Sequence, residues 1–184
     1  MPKKKNTLIT PEYRALNSKL HENERYGTSG AKYVKDVIMI AEANGYKTVL
    51  DYGCGKGEFK AGLEYLQNPL VVHEYDPAIP GKDKEPPRRD MVLCSDVLEH
   101  VEPELLDNVI AHIATKGEVA YFIIAMTLAE KNLPDGRNAH LTVEQAPWWL
   151  KKLEKQFNIM HWQVTEFIIA VVAETKPRAQ RRIG

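Results

Sequence analysis

Apolar and polar positions follow two alternating patterns along most of the chain. Short continuous apolar runs, which are typical of buried strands, occupy 47–52, 70–75, 90–95 and 118–126. Between and after them, apolar residues recur every three or four positions and predict helices over 29–44, 58–66, 103–115 and 142–157. Strands that alternate with helices predict a parallel sheet covered by helices on both faces.

The chain closes with two β-rich runs, 158–165 and 167–175, which almost touch in sequence. Neighbouring strands this close must pair antiparallel, because a parallel pair needs a crossover of about a dozen residues or more. The pattern therefore predicts an α/β fold: a doubly wound, mostly parallel sheet with an antiparallel C-terminal hairpin.

Length and charge limit the possible functions. The 184 residues predict one domain over 1–184, with loose polar or basic tails at 1–10 and 176–184. The 25 basic and 25 acidic residues balance, which argues against a domain-wide basic surface for duplex nucleic acid. The basic C-terminal tail is either solvated or makes a weak contact with phosphate.

We expect a cytoplasmic protein. The longest apolar runs, 119–126 and 167–173, are far shorter than the ~20 residues that span a bilayer, so no membrane partner is expected. The basic start of the chain has no apolar segment after it, unlike a secretory signal. Two cysteines, Cys54 and Cys94, make no disulfide framework and suit a reducing compartment.

A glycine-rich turn is the most informative segment. Gly53, Gly55 and Gly57 lie between a predicted strand and a helix, where backbone without side chains can approach a ligand closely, and Asp51 lies at the strand's end. Asp76 ends the next strand, 19 residues after the last glycine. In a doubly wound sheet this position suits a carboxylate that accepts hydrogen bonds from both ribose hydroxyls.

Two nucleotide cofactors compete for such a turn. A dinucleotide site has the spacing Gly-x-Gly-x-x-Gly and receives a pyrophosphate, whereas this turn reads Gly-x-Gly-x-Gly beside Asp51. A carboxylate there repels a pyrophosphate but attracts an ammonium group. The turn therefore favours S-adenosylmethionine over NAD, the alternative being a structural turn with a capping aspartate.

A second group of polar residues follows the third predicted strand. Asp96, Glu99 and His100 have the spacing that places side chains on one side of a helical turn, and His140 leaves the next strand at the same sheet edge. These four residues are a candidate site for Mg²⁺, Mn²⁺ or Zn²⁺, and the two imidazoles favour a transition metal. The alternatives are a structural Glu99 and a metal-free His100 or His140 that acts as a base.

These motifs together resemble class I S-adenosylmethionine-dependent methyltransferases over roughly 45–175. The resemblance rests on the glycine turn with Asp51, on Asp76 and on the segment Ser95–Val101. It implies a Rossmann-like sheet in which the glycine turn and Asp51 line the methionine end of the cofactor while Asp76 holds the ribose. The cofactor-binding set implied by it comprises Asp51, Gly53, Gly55, Gly57, Asp76, Pro77, Ser95 and Asp96.

One departure from this family concerns the adenine. Only 13 residues, four of them proline, separate Asp76 from Asp90, where the family has a helix and another strand that supplies an adenine contact. We therefore expect one edge strand to be lacking. The loop 77–81 is expected to cover the adenine instead.

The acid–acid–His pattern resembles two narrower groups: small-RNA 2′-O-methyltransferases and ubiquinone-biosynthesis O-methyltransferases. The former carry Glu-x-x-Glu-His after the same strand and a distant histidine before a Trp-containing helix; here Asp96 replaces the first glutamate. The resemblance implies a metal held by Asp96, Glu99, His100 and His140 that grips adjacent hydroxyls of the acceptor.

The sequence thus predicts an S-adenosylmethionine-dependent methyltransferase that acts on a hydroxyl of a nucleic-acid end, a nucleotide or a small diol. The predicted catalytic residues are Glu99, His100 and His140, acting with a metal or as bases. The alternatives are a non-catalytic partner module that keeps the cofactor site, and an N-methyltransferase.

Overall fold

The computed structural model describes residues 7–23 and 26–181. Its helices are α1 (Pro11–His21), α2 (Val34–Asn44), α3 (Glu58–Tyr65), α4 (Leu106–Ile113) and α5 (Ala146–Leu153). Its strands are β1 (Thr48–Tyr52), β2 (Val71–Tyr75), β3 (Met91–Ser95), β4 (Val119–Ala125), β5 (Phe157–Val164) and β6 (Ile168–Thr175). In this part of the chain, no helix has the length and apolar character to cross a bilayer. Parts of the two predicted loose tails, 1–10 and 176–184, lie outside the described residues, namely 1–6 and 182–184.

The six strands form one sheet in the order β2-β1-β3-β4-β6-β5. The first four strands in that order run parallel, and β6 pairs antiparallel with both β4 and β5. The predicted doubly wound sheet with an antiparallel C-terminal hairpin is therefore confirmed. The next strand in sequence, β2, lies on one side of β1, and β3 lies on the other side. At such a reversal of strand order the carboxyl ends of the strands flank a crevice that binds ligands in this kind of sheet.

Both faces of the sheet are covered, as the continuous apolar runs predicted. In β1, Leu50 faces a core completed by α4 and α5, whereas Val49 faces a second core completed by α2 and α3. This alternation follows from the two-residue period of a strand, and burial of both faces explains why the central strands β3 and β4 are almost entirely apolar. Cys54 and Cys94 are free and buried.

No strand forms between β2 and β3, which confirms the predicted gap. The proline-rich segment there is fastened by Glu85, whose carboxylate accepts hydrogen bonds from Lys116 and, at 3.0 Å, from His112 Nε2. His112 Nδ1 lies 2.8 Å from the Tyr52 hydroxyl at the end of β1. Glu85 and Tyr52 thus hold the His112 ring from both sides.

Two helices differ from the sequence prediction. α1 lies where no helix was predicted; Thr10 caps it through a hydrogen bond from Tyr13 N, and Pro11 begins it. α5 begins at Ala146 rather than at residue 142, and Thr142 Oγ1, which has no hydrogen-bond partner among the described residues, does not cap it. Pairing with β6 makes Phe157 the first residue of β5 rather than the end of the helix.

The His112 contact predicts a pH-dependent stability. Burial lowers the pKa of His112 below its ordinary 6.5, and Glu85 opposes this only in part. Because the unfolded chain binds this proton more readily, stability supplied by neutral His112 is present above about pH 6.5 and is lost as the pH falls through the lowered pKa. His112→Gln should therefore lose less unfolding free energy than the wild type between pH 7.5 and 5.5 in urea titrations. His161→Gln, at an exposed position on β5, is the control, and equal pH dependence in all three proteins contradicts the assignment.

Candidate active site

The glycine turn after β1 leaves no room for side chains. Gly53, Gly55 and Gly57 have φ values of 79°, 51° and 88°, a left-handed backbone that glycine adopts without strain. A Cβ on Gly53 would lie 2.3 Å from Val97 Cγ2, and one on Gly55 would lie 2.6 Å from the Gly27 oxygen. Gly53 N donates to the Tyr75 oxygen at 2.7 Å, which ties the turn to the end of β2.

Two carboxyl groups end the neighbouring strands β1 and β2. Asp76, which is 6% exposed, accepts hydrogen bonds from Gly55 N at 3.1 Å and from Ala78 N at 2.9 Å. Asp51 is 3% exposed, and burial together with the nearby Glu74 carboxylate raises its pKa to about 7. A cationic group bound between these strand ends would be stabilised by both carboxylates.

A cleft of about 480 Å³ opens at these strand ends. Most of the predicted site residues line it: Asp51, Gly53, Gly55, Asp76, Pro77, Ser95, Asp96, His100 and His140. Gly57 does not line the cleft. It precedes α3 with a left-handed backbone, φ 88°, and this conformation explains the glycine.

Glu99 is fully buried beside the cleft. Its Oε1 accepts a hydrogen bond from Ala125 N at 2.9 Å, while its Oε2 has no hydrogen-bond partner among the described residues. Burial and the nearby Asp96 carboxylate raise the pKa of Glu99 to about 8. A buried carboxylate oxygen without a partner is energetically costly, and a bound cation would satisfy it.

Two histidines stand beside this carboxylate with their rings 4.7 Å apart. His100 Nδ1 lies 2.8 Å from the Ala139 oxygen and His140 Nδ1 lies 2.5 Å from the Thr127 oxygen. Because a carbonyl only accepts, each Nδ1 carries the proton and each neutral ring keeps a lone pair on Nε2. Burial and the neighbouring His140 lower the pKa of His100 to about 4.

One ligand atom from each of Glu99, His100 and His140 lies within 4.8 Å of the other two. Asp96, a predicted ligand, is not part of this group. The helical spacing assumed for it does not apply, because Asp96 has a left-handed φ of 53° and the following helical turn is only Leu98–His100. Asp96 lines the cleft instead.

Several cleft residues were missed because α1 was missed. Tyr13, Asn17 and His21 project from α1 into the lining, and Tyr26 follows it there. The Tyr13 hydroxyl donates to the His100 oxygen at 2.5 Å. The sequence signal that could have found them is Thr10 before Pro11, a capping residue followed by a helix-starting proline.

Arg137, Trp148 and Trp149 are three further residues whose side chains could have served a binding site. Arg137 Nε donates to Asp135 at 2.8 Å and braces its own loop. Trp149 is fully buried and donates to the Glu144 oxygen, whereas Trp148 is 36% exposed. None of the three lines the cleft.

Comparison with known proteins rests on structure. No protein-family model matches the chain, and no curated protein matches it. A Burkholderia thailandensis 1,6-didemethyltoxoflavin-N1-methyltransferase, solved with 1,6-didemethyltoxoflavin and S-adenosylhomocysteine, superposes with a TM-score of 0.67 at 16% identity over 93% of this chain and 92% of that one. The Synechocystis PCC 6803 magnesium protoporphyrin IX methyltransferase with S-adenosylhomocysteine gives 0.51 at 20% identity, over 79% and 83%.

An O-methyltransferase family protein from Burkholderia thailandensis also superposes, with a TM-score of 0.57 at 11% identity. The likeness covers 93% of this chain and 64% of that one. This chain has the class I methyltransferase fold. At these identities the likeness concerns the fold, and the class I architecture places the cleft at the strand ends described above.

The glycine turn of this methyltransferase fold gives a stability prediction. Gly53→Ala should destabilise the protein by about 2–4 kcal/mol, because alanine strains the left-handed backbone and its Cβ overlaps Val97. Gly45→Ala is the matched control: its φ is 72°, and a Cβ there meets nothing within 4 Å, so only the backbone strain of about 1–2 kcal/mol applies. Urea unfolding measures both, and equal losses would contradict the packing argument.

Proposed function

We propose that this chain is an S-adenosylmethionine-dependent methyltransferase that methylates a hydroxyl group. The observation that carries the proposal is one cleft that joins the carboxyl groups of Asp51 and Asp76 to the imidazoles of His100 and His140. The two carboxyl groups suit the amino acid and the ribose of the cofactor. The two imidazoles suit activation of an acceptor hydroxyl. The structures with a similar fold include proteins solved with S-adenosylhomocysteine.

In this proposal the cofactor lies across the tips of β1 and β2. Asp51 attracts the ammonium group of the methionine moiety, the glycine turn admits its backbone, and Asp76 accepts from the ribose hydroxyls. The remaining residues that contact the cofactor are Pro77, Ser95 and Asp96, which line the same cleft.

Glu99, His100 and His140 fit a divalent cation. They offer an unpartnered buried carboxylate oxygen and two imidazole Nε2 lone pairs, and backbone carbonyls hold both rings in the ligating tautomer. Two nitrogen donors favour Zn²⁺ or Mn²⁺ over Mg²⁺. Such a cation, when bound, lowers the pKa of a coordinated hydroxyl.

The protein's own contribution to methyl transfer is then largely positional. The cleft aligns the acceptor oxygen with the sulfonium methyl, and displacement releases S-adenosylhomocysteine. A general base at His100 is disfavoured, since a pKa near 4 makes it a weak base at neutral pH. His140 remains the candidate base if no metal takes part.

Two alternatives have an observation in their favour. N-methylation is consistent with the toxoflavin N1-methyltransferase, whose fold superposes with the TM-score of 0.67. A non-catalytic module that only binds the cofactor is consistent with the lack of a strand between β2 and β3. It is disfavoured by Glu99, because burial of an unsatisfied carboxylate has a cost that a purely structural role does not explain.

The acceptor is proposed to be a nucleic-acid end, a nucleotide or a small diol in the cytoplasm. The deciding experiment transfers tritium from methyl-labelled S-adenosylmethionine into separated RNA, DNA and metabolite fractions of a cell extract. Label in one fraction above a boiled-enzyme control identifies the acceptor class. Absence of label from all three would favour the non-catalytic module.

Cofactor binding depends on Asp76. Asp76→Ala should weaken binding of S-adenosylhomocysteine by about 100-fold in calorimetry, because two hydrogen bonds to a charged acceptor are worth about 3 kcal/mol together. Asp83→Ala is the control, since this exposed carboxylate lies in the same connection but not in the cleft lining. Unchanged affinity in Asp76→Ala would remove the ribose assignment.

The proposed metal site consists of Glu99, His100 and His140. Glu99→Gln and His140→Ala should each lower Mn²⁺ affinity at least tenfold in calorimetry, because each removes one of three ligands. Excess chelator should likewise suppress methyl transfer by the wild type. His161→Ala, which changes an exposed histidine, should bind Mn²⁺ as the wild type does. Full turnover in excess chelator would leave His140 as the base.

A further inference from the structure

We propose that Asn17 of α1 recognises the amino edge of the cofactor's adenine, so that α1 forms the adenine subsite. The proposal rests on the proposed function, because it requires S-adenosylmethionine to occupy the cleft. It assigns a polar contact with the base to α1, because the connection between β2 and β3 contributes little to the cleft lining. Beyond Asp76, only Pro77 and Ala78 of that connection line the cleft.

α1 spans the cleft from one sheet loop to the other. On the β3 side, Thr10 Oγ1 donates to Glu102 at 2.6 Å, and the Tyr13 hydroxyl donates to the His100 oxygen. On the β2 side, Ser18 Oγ donates to the Ala78 oxygen at 2.6 Å. The helix is therefore fixed at both edges, and its inner face closes the cleft beyond the ribose position.

The cleft that α1 borders is lined by apolar as well as polar side chains. The apolar ones include Leu8, Ile9, Ala78, Val101 and Val109. A purine ring has apolar faces and a polar edge, so it fits such a lining where a polar side chain meets that edge.

Asn17 supplies that side chain. Its Oδ1 is buried and has no hydrogen-bond partner among the described residues, although the residue lines the cleft. A buried amide oxygen without a partner costs about 1–3 kcal/mol, which a ligand that donates a hydrogen bond would recover. The amide also carries a donor, and an acceptor beside a donor complements the N6 amino group of adenine with its adjacent ring nitrogen.

His21, one helical turn after Asn17, also has an unpartnered buried atom, Nδ1. This ring lies against Gly27, which packs on Gly55 of the glycine turn. This contact places His21 beside the glycine turn, on the ribose side of the cleft. Of the two α1 side chains with an unpartnered buried atom, Asn17 is therefore the one that can contact the adenine.

A double-mutant cycle tests the contact between Asn17 and the adenine amino group. Calorimetry compares S-adenosylhomocysteine with its 6-deamino purine analogue on the wild type and on Asn17→Leu. The wild type should bind the analogue about tenfold more weakly, which corresponds to ~1.4 kcal/mol for one hydrogen bond. Asn17→Leu should bind S-adenosylhomocysteine about tenfold more weakly and should no longer distinguish the two ligands.

Two further variants keep the test decisive. Asn17→Asp retains the acceptor and should keep the preference for the amino-bearing ligand, whatever Asn17→Leu does to folding. Lys19→Leu introduces the same side chain at an exposed position about 200° around the helix and should behave as the wild type. Loss of preference in Asn17→Asp, or its persistence in Asn17→Leu, overturns the adenine assignment. A wild type that binds neither ligand instead refutes the proposed cofactor, which separates the two failures.

Discussion

The turn after β1 constrains the geometry of the whole site. Its backbone passes between Gly27 on one side and Val97 on the other, at distances that exclude even a methyl group. Because the turn is held there, Gly53 N reaches the end of β2 and Gly55 N reaches the Asp76 carboxylate. The position of the proposed ribose acceptor is thus set by backbone hydrogen bonds that exist only while the turn has no side chains.

Three of the five buried polar atoms that lack a partner among the described residues lie in or beside this cleft. They are Asn17 Oδ1, His21 Nδ1 and Glu99 Oε2; the other two, Arg89 Nε and Thr142 Oγ1, belong to residues outside the cleft lining. Native proteins pair most of their buried polar atoms, so a cluster of exceptions indicates atoms that await a ligand. The apolar cores on both faces of the sheet supply the stability that offsets this cost.

The sequence predicted the sheet well because its central strands β3 and β4 are buried on both faces and appear as apolar runs. α1 escaped prediction because its apolar positions, Tyr13, Leu16 and Leu20, face a small separate cluster rather than the main core. The prediction that Asp96 is a metal ligand was wrong for a local reason. Asp96 has a left-handed backbone, which breaks the helical spacing on which the prediction relied. The spacing of the glycines and acids along the sequence was enough to predict their place in the site. Contacts between distant segments, such as that of Tyr13 with His100, depend on tertiary packing and could not be predicted in this way.

α1 also connects the two chemical halves of the site. Leu16 and Leu20 pack with Leu133 and Ala139, in the loop that carries His140 and whose Ala139 carbonyl orients the His100 ring. The same helix reaches the Asp76 loop through Ser18. One amphipathic element therefore supports the histidine pair on one side and the nucleotide section on the other. Displacement of α1 would remove the support of both at once, because neither the 129–141 loop nor the 77–81 loop belongs to the sheet.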